Sequence, residues 1–221
     1  RFIAVTRQVR EYWCRAGLDK GKMEVIYEGV DIDKFIRRKK REDNQLRLVC
    51  VGRIEKSKGQ LQILQAMVKL PEEARRNVTL DLIGEPYPDY FRQLQSYIKK
   101  NAMEDKVRFL GYQNNIPKLL VDYDVGILYS RGDAFGTVVA EYMAAGLLAI
   151  ATYTELAEHK KTGLRYEFGD IEKLAENIQY AYENKKETDK IAEAGATAIR
   201  EKYSIEMNAA EVYRLYQNMV S

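Results

Sequence analysis

At 221 residues, with 46% hydrophobic and 31% charged side chains, the chain is long enough to bury a full core and has the composition of neither a disordered nor a fibrous protein. Its 36 Lys and Arg against 33 Asp and Glu leave +3, too slight a balance to argue for nucleic acid. No apolar run approaches the roughly 18 residues of a spanning helix, no signal peptide is visible, and two cysteines without framework spacing, Cys14 and Cys50, read as buried free thiols of a reducing, cytoplasmic compartment.

The chain begins at RFIAVT with no initiator Met and is expected to be part of a longer protein. Residues 2–5 form a short apolar run; Thr6 is positioned to cap a helix carrying Val9, Tyr12, Trp13 and Ala16 on one face, and Gly17 ends it. Residues 23–27 read as a strand, with Glu28-Gly29-Val30-Asp31 as the turn leaving it. Arg37-Arg38-Lys39-Lys40-Arg41 then reads as a boundary, either a solvated linker or a contact with an anionic membrane surface.

From Leu46 onward apolar strands alternate with helices. Strands are expected at residues 46–51, 78–83, 107–110, 125–129, 147–151 and 164–168, and helices at 59–70, 89–101, around Ile116, Leu119 and Leu120, ahead of the fifth strand, and at 171–183 and 188–202. Continuous apolar strands between helices imply a parallel sheet covered on both faces, and right-handed crossovers make it an α/β, Rossmann-like doubly wound domain. Ser204 caps a last helix with Ile205, Ala209, Val212, Tyr216 and Met219 at helical spacing. The expected division is a piece of another domain or linker at 1–36, the Rossmann-like domain at 37–203 and a terminal helix at 204–221.

Ligands of such sheets bind beyond the carboxyl ends of the strands, where the winding reverses. The loop GRIEKSKG (residues 52–59) lies there and matches neither GxGxxG nor GxxxxGK[ST], which disfavours a dinucleotide cofactor and a P-loop. It offers Arg53 and Lys58 near the start of a helix, a phosphate clamp or a basic surface loop. The loop Asp133-Ala134-Phe135-Gly136-Thr137 opens a helix carrying Glu141, which shares a face with Thr137, and Gly136 permits close backbone approach. Glu141 sits among Val138, Val139, Ala140 and Met143, so its carboxylate needs a partner: a salt bridge, or vicinal hydroxyls such as those of a ribose. His159, the one histidine, stands between charged neighbours and reads as a surface residue; no metal-ligand spacing is present.

GRIEKSKG, VRFLGY (residues 107–112), DAFGTVVAE (133–141) and KTGLRYEFGD (161–170), in register, resemble the carboxyl-terminal half of a GT-B-fold, family-4-type retaining glycosyltransferase. The resemblance implies a nucleotide-sugar donor domain needing no metal or cofactor. Gly52, Arg53 and Lys58 would meet the diphosphate, Glu141 the ribose, Asp133 the transferred sugar, Phe135, Gly136 and Thr137 the sugar and phosphates, and Leu110, Gly111 and Tyr112 the base. Asp133, Glu141, Arg53 and Lys58 would be the catalytic set, with cations and helix amides stabilising the departing diphosphate. The missing half would take a glycan, lipid-linked or small-molecule acceptor, and the fragment alone would not transfer sugar.

Three departures stand out. Asp133 replaces a Glu, Glu28 replaces an Asn ahead of Gly-Val-Asp, and the run Ala151-Thr152-Tyr153-Thr154-Glu155 lacks the family's Gly-Gly turn. About four residues are therefore expected to be either deleted near Tyr153 or omitted there as a mobile loop. A non-catalytic nucleotide-sugar-binding or scaffold module and a GT-B-fold epimerase or phosphorylase are the competing readings.

Overall fold

The computed structural model describes residues 1–39 and 41–220. A small parallel pair, β1 (Phe2–Ala4) and β2 (Met23–Val25), is joined through helix α1 (Arg7–Arg15), whose amino end is capped by Thr6 Oγ1 accepting from the Val9 amide. The main sheet has β3 (Leu46–Val51), β4 (Val78–Ile83), β5 (Val107–Gly111), β6 (Val125–Leu128), β7 (Leu148–Ala151) and β8 (Leu164–Arg165), all parallel, in the order β5-β4-β3-β6-β7-β8. The winding reverses between β3 and β6, which places the crevice favoured for ligands at their carboxyl ends.

Around the sheet run α2 (Gln60–Val68), α3 (Glu72–Asn77), α4 (Pro88–Lys100), α5 (Ile116–Leu120), α6 (Thr137–Ala144), α7 (Ile171–Glu183) and α8 (Lys185–Lys202), followed by α9 (Ile205–Val220). Successive strand side chains face opposite ways. Leu148 and Ile150 therefore join Leu64 of α2 and Ile178 of α7 in one core, while Ala149 and Ala151 leave room for Val139 and Met143 of α6 on the other side. Leu48, Leu64, Leu80 and Ile150 are wholly buried, and truncating any one of them to Ala costs about 2–5 kcal/mol.

One packing contact fixes α6 relative to β3. A side chain at Gly126 of β6 would meet the Tyr142 ring at 2.1 Å, so only glycine lets that ring lie flat on the strand. The Tyr142 oxygen then accepts a hydrogen bond from the Val51 amide at 2.7 Å, tying α6 to the end of β3 where the Gly52 loop departs.

The expected elements are present, with local differences. Helix α3 was not anticipated because EEARRN buries only Ala74 and shows no apolar periodicity. β8 pairs for two residues instead of five, since Tyr166 turns its hydroxyl to the Leu128 carbonyl at 2.8 Å. The expected apolar face of α1 is not buried, with Tyr12 66% and Trp13 47% exposed, and α9 buries Leu215 and leaves Ile205, Tyr216 and Met219 in solvent. The turn at 28–31 is bound to the start of α9 by Val30 and Ile205, whose backbones bond Tyr203 and each other at 2.9 and 3.0 Å.

The basic run is a strap, in contrast to the expected linker. Arg38, with 11% of its side chain exposed, pairs with Asp124 at 3.1 Å and with Asp189 and donates to the Gly146 carbonyl; Arg37 pairs with Glu193 and Arg41 with Asp122. Lys40 of that run lies outside the described residues. Among the described residues no helix is long and apolar enough to cross a membrane.

Candidate donor site

The loops that leave β3 and β6 meet at the reversal of the sheet. After Val51, the chain passes Gly52 and Arg53 into a short 3-10 turn, Lys56–Lys58, and enters α2 through Gly59 in the left-handed region at φ 61°. A Cβ at Gly59 would fall 2.0 Å from the Tyr129 ring, so this loop is seated directly on the residue that follows β6. That seating brings Lys58 to Asp133: Nζ lies 3.1 Å from both carboxylate oxygens, with the side chains 27% and 29% exposed.

Arg53 is placed differently. Its side chain is 62% exposed and pairs with Glu55 at 3.1 Å, while its carbonyl accepts from the amide of buried Gln60 at 2.9 Å. Sequence reading did not single out Gln60, yet it anchors the basic loop from below. Arg53 and Lys58 thus stand on one loop, each held by its own carboxylate.

Gly136 adopts φ 80° and starts α6, which has no capping side chain; the Val139 amide bonds the Gly136 carbonyl at 2.8 Å, which leaves the Thr137 and Val138 amides for another partner. Thr137 donates its hydroxyl to Glu28 at 2.6 Å. The Asn-to-Glu departure therefore puts a carboxylate beside the positive end of α6, a consequence the sequence alone did not reveal. Phe135, expected to line the site, is 2% exposed and packs on Tyr27 and Tyr203; it anchors the loop from within the core.

Glu141 is half-buried and, among the described residues, its carboxylate has neither a hydrogen bond nor an ion pair. The salt-bridge alternative does not hold. Burial alone pushes its carboxyl above the usual range.

Leu110, Gly111 and Tyr112 lie at the end of the edge strand β5, separated from β3 by β4. Gly111 at φ 63° accepts from the Gly84 amide at 2.9 Å, Leu110 is partly buried against the cluster that holds Val49, Ile83 and Tyr142, and Tyr112 is 69% exposed. The structure therefore groups Lys58, Asp133 and the amino end of α6 closely, and sets the residues expected near the base two strands away.

Beyond β7 the described chain runs through Thr152–Glu155 in bends. Thr152 Oγ1 donates to the Ser130 carbonyl at 2.7 Å and accepts from its amide at 3.2 Å, fastening the loops after β6 and β7 together. Glu155 accepts from the Gln8 amide at 2.9 Å and from the Tyr27 hydroxyl at 2.7 Å; burial and that carboxylate both raise the Tyr27 pKa. An acid at the amino end of α1 completes its cap and ties Gln8 and Tyr27 to the loop after β7.

His159 is exposed and accepts a backbone hydrogen bond from Arg165 at 3.0 Å, and among the described residues no His, Cys, Asp and Glu group is arranged for a metal. The cysteines differ from expectation: Cys50 is buried and its thiol is pushed up to about 12 by burial, but Cys14 is only half-buried.

Comparison with known proteins matches residues 31–198 to the family model described as Glycosyl transferases group 1. N-acetyl-alpha-D-glucosaminyl L-malate synthase of Bacillus anthracis is 27% identical over 177 residues, 78% of this chain and 45% of that protein. A Campylobacter jejuni 4-alpha-N-acetylgalactosaminyltransferase acting on a diphospho-undecaprenol compound, by its name, is 29% identical over 68% of this chain and 39% of its own length. Among solved structures, Anabaena HepE in complex with UDP and glucose superposes with a TM-score of 0.86 at 25% identity, covering 97% of this chain and 62% of HepE. The chain spans about half the length of these curated relatives. It has the Rossmann-like sheet of GT-B neighbours, and it belongs to the group 1 family of glycosyl transferases.

Proposed function

We propose that this chain is the donor-binding half of a retaining glycosyltransferase, which moves a hexose from a nucleoside diphosphate sugar to an acceptor. The observation that carries the reading is the junction at the sheet reversal, where Lys58 and the uncapped amino end of α6 flank Asp133 while the Glu141 carboxylate stands half-buried with no protein partner among the described residues. In this reading Lys58, Arg53 and the α6 amides neutralise the departing diphosphate, Glu141 accepts the two ribose hydroxyls, and Asp133 holds the sugar. Those cations and amides supply the charge neutralisation, so no metal or cofactor is assigned. UDP bound in HepE supports a nucleotide donor here.

The acceptor, whether glycan, lipid-linked or small molecule, falls to the part of the relatives that this chain does not span. Peripheral membrane contact through the basic run is weakened by the pairing of Arg37, Arg38 and Arg41. A non-catalytic nucleotide-sugar module is the second reading, favoured by the Glu28 carboxylate at the α6 end and by the absent Gly-Gly turn. Thermal shifts with UDP, GDP and ADP test the shared premise, since a ligand at 100 times its Kd stabilises by about 2.7 kcal/mol. One nucleotide raising Tm supports it and none doing so opposes it. Release of nucleoside diphosphate from that donor by the longer protein then separates transferase from module.

A further inference from the structure

Strands β3 and β6 separate just before the donor cluster. β3 pairs with β4 along its whole length, from Leu46 to Val51, but with β6 only at Leu48↔Val125 and Val49↔Gly126. The Gly52 amide bonds the Ile83 carbonyl of β4 at 2.9 Å, and alternate residues of a parallel strand turn their amides to opposite neighbours. Val51 therefore faces β6 beyond the point where that pairing has ended, and its amide needs another partner. Tyr142 supplies one. Its wholly buried ring lies over Gly126, the last β6 residue paired with β3, and its oxygen accepts from the Val51 amide at 2.7 Å.

This bond joins two parts of the donor site. Tyr142 follows Glu141 on α6, and Val51 precedes the loop that carries Arg53 and Lys58. The far end of that loop is held from elsewhere, by Gly59 against Tyr129 and by the Leu61 amide donating to the Tyr90 hydroxyl at 2.9 Å. We propose that Tyr142 is a positioning residue for the donor, whose hydroxyl fixes the diphosphate loop against Glu141 and the Thr137 and Val138 amides so that one nucleotide is held by ribose and phosphates together. The inference rests on the donor reading of both elements. Tyr142 acts through the Val51 backbone, beneath the site. A phenylalanine would fill the same space over Gly126 and leave the Val51 amide orphaned, so the role of the hydroxyl is separable from that of the ring.

Amide exchange followed by NMR, together with nucleotide titration, tests it on Tyr142→Phe. Ile178→Val, a buried change in the core on the opposite face of the sheet, controls for lost stability. In Tyr142→Phe the amides of residues 51–59 are expected to exchange at least about tenfold faster, while residues 78–83 of β4 keep their wild-type rates. Affinity for whichever of UDP, GDP and ADP the wild type binds is expected to fall at least about fivefold, the scale of a displaced binding group. The matching nucleoside, which has no phosphate, should bind Tyr142→Phe and wild type alike at millimolar concentration, and Ile178→Val should keep wild-type affinity for the nucleotide. Unchanged exchange at residues 51–59, equal weakening of nucleotide and nucleoside, or an equal nucleotide loss in Ile178→Val overturns the inference. Wild type that binds none of the three nucleotides overturns the donor reading and this inference with it, whereas unchanged nucleotide affinity in Tyr142→Phe beside a binding wild type overturns the inference alone. Should Tyr142→Phe not fold, the wild type decides: a Val51 amide protected as well as that of Cys50 supports the bond, and one that exchanges as fast as an unstructured amide overturns it.

Discussion

Lys58 Nζ sits 3.1 Å from each carboxylate oxygen of Asp133, so one ion pair joins the loops leaving β3 and β6 across the reversal of the sheet. Both side chains are more than a quarter exposed, and a pair of that kind contributes at most about 1 kcal/mol to folding. Lys58→Ala is therefore expected to shift Tm by less than about 4 °C. The same change removes a charge-assisted contact to phosphate worth about 1.5–3 kcal/mol, so UDP affinity falls roughly 10- to 150-fold. Asp133→Asn releases the ammonium and is expected to preserve or raise UDP affinity. Calorimetry on the two variants checks the opposite responses.

Glu141 gives a pH-dependent counterpart. Burial raises its carboxyl, so the folded state holds the proton more tightly than the unfolded chain does. Stability from this residue is then greatest at low pH, falls as pH rises from the unfolded value through the folded one, and is least at neutral pH. Glu141→Gln is expected to raise Tm by about 2 °C at pH 7, with the gain shrinking in acid, while nucleotide affinity drops at least about tenfold. Scanning calorimetry from pH 4 to 7, paired with UDP titration, reads both effects.

Glu28 places a negative charge beside the end of α6 that attracts anions. Removing it in Glu28→Gln, where the amide oxygen still accepts from Thr137, is expected to tighten UDP binding about 2- to 5-fold, the equivalent of the ~0.3–1 kcal/mol of a charge at a helix end. Unchanged or weaker binding would mean that the carboxylate does not face the phosphates.

How much of this was readable in the chain depends on the range of the interactions involved. β3, β4 and α7 fall at their expected boundaries because an unbroken LRLVCV or VTLDLI, and an apolar stripe after a capping Asp170, are local signals. The Lys58 and Asp133 loops could be placed at strand ends, but their contact, 75 residues apart in sequence, depends on the Gly59 and Tyr129 packing. The consequence of Glu28 was not readable in the sequence, because nothing local shows that it lies 109 residues away against Thr137. Phe135 was given to the ligand by motif position, whereas two aromatic neighbours from distant segments, Tyr27 and Tyr203, seat its ring in the core. The exposed faces of α1 and α9 carry a helical period whose burial partner is not among the described residues.

The cysteines offer a check on the packing itself. Burial raises the Cys50 thiol to about 12, so it is both inaccessible and almost wholly protonated at pH 8, while half-buried Cys14 is open to reagent. Ellman's reagent is expected to titrate one thiol in the native protein and two after denaturation. Cys14→Ser should abolish the native reaction.

The most direct measurement is calorimetric titration of the chain with UDP-, GDP- and ADP-sugars, alongside Arg53→Ala and Glu141→Ala. The account predicts saturable binding of one donor class by the wild type and a loss of at least about tenfold in each variant, the scale of one charge-assisted hydrogen bond. Failure of every nucleotide sugar to bind, or binding that both variants leave unchanged, would contradict it.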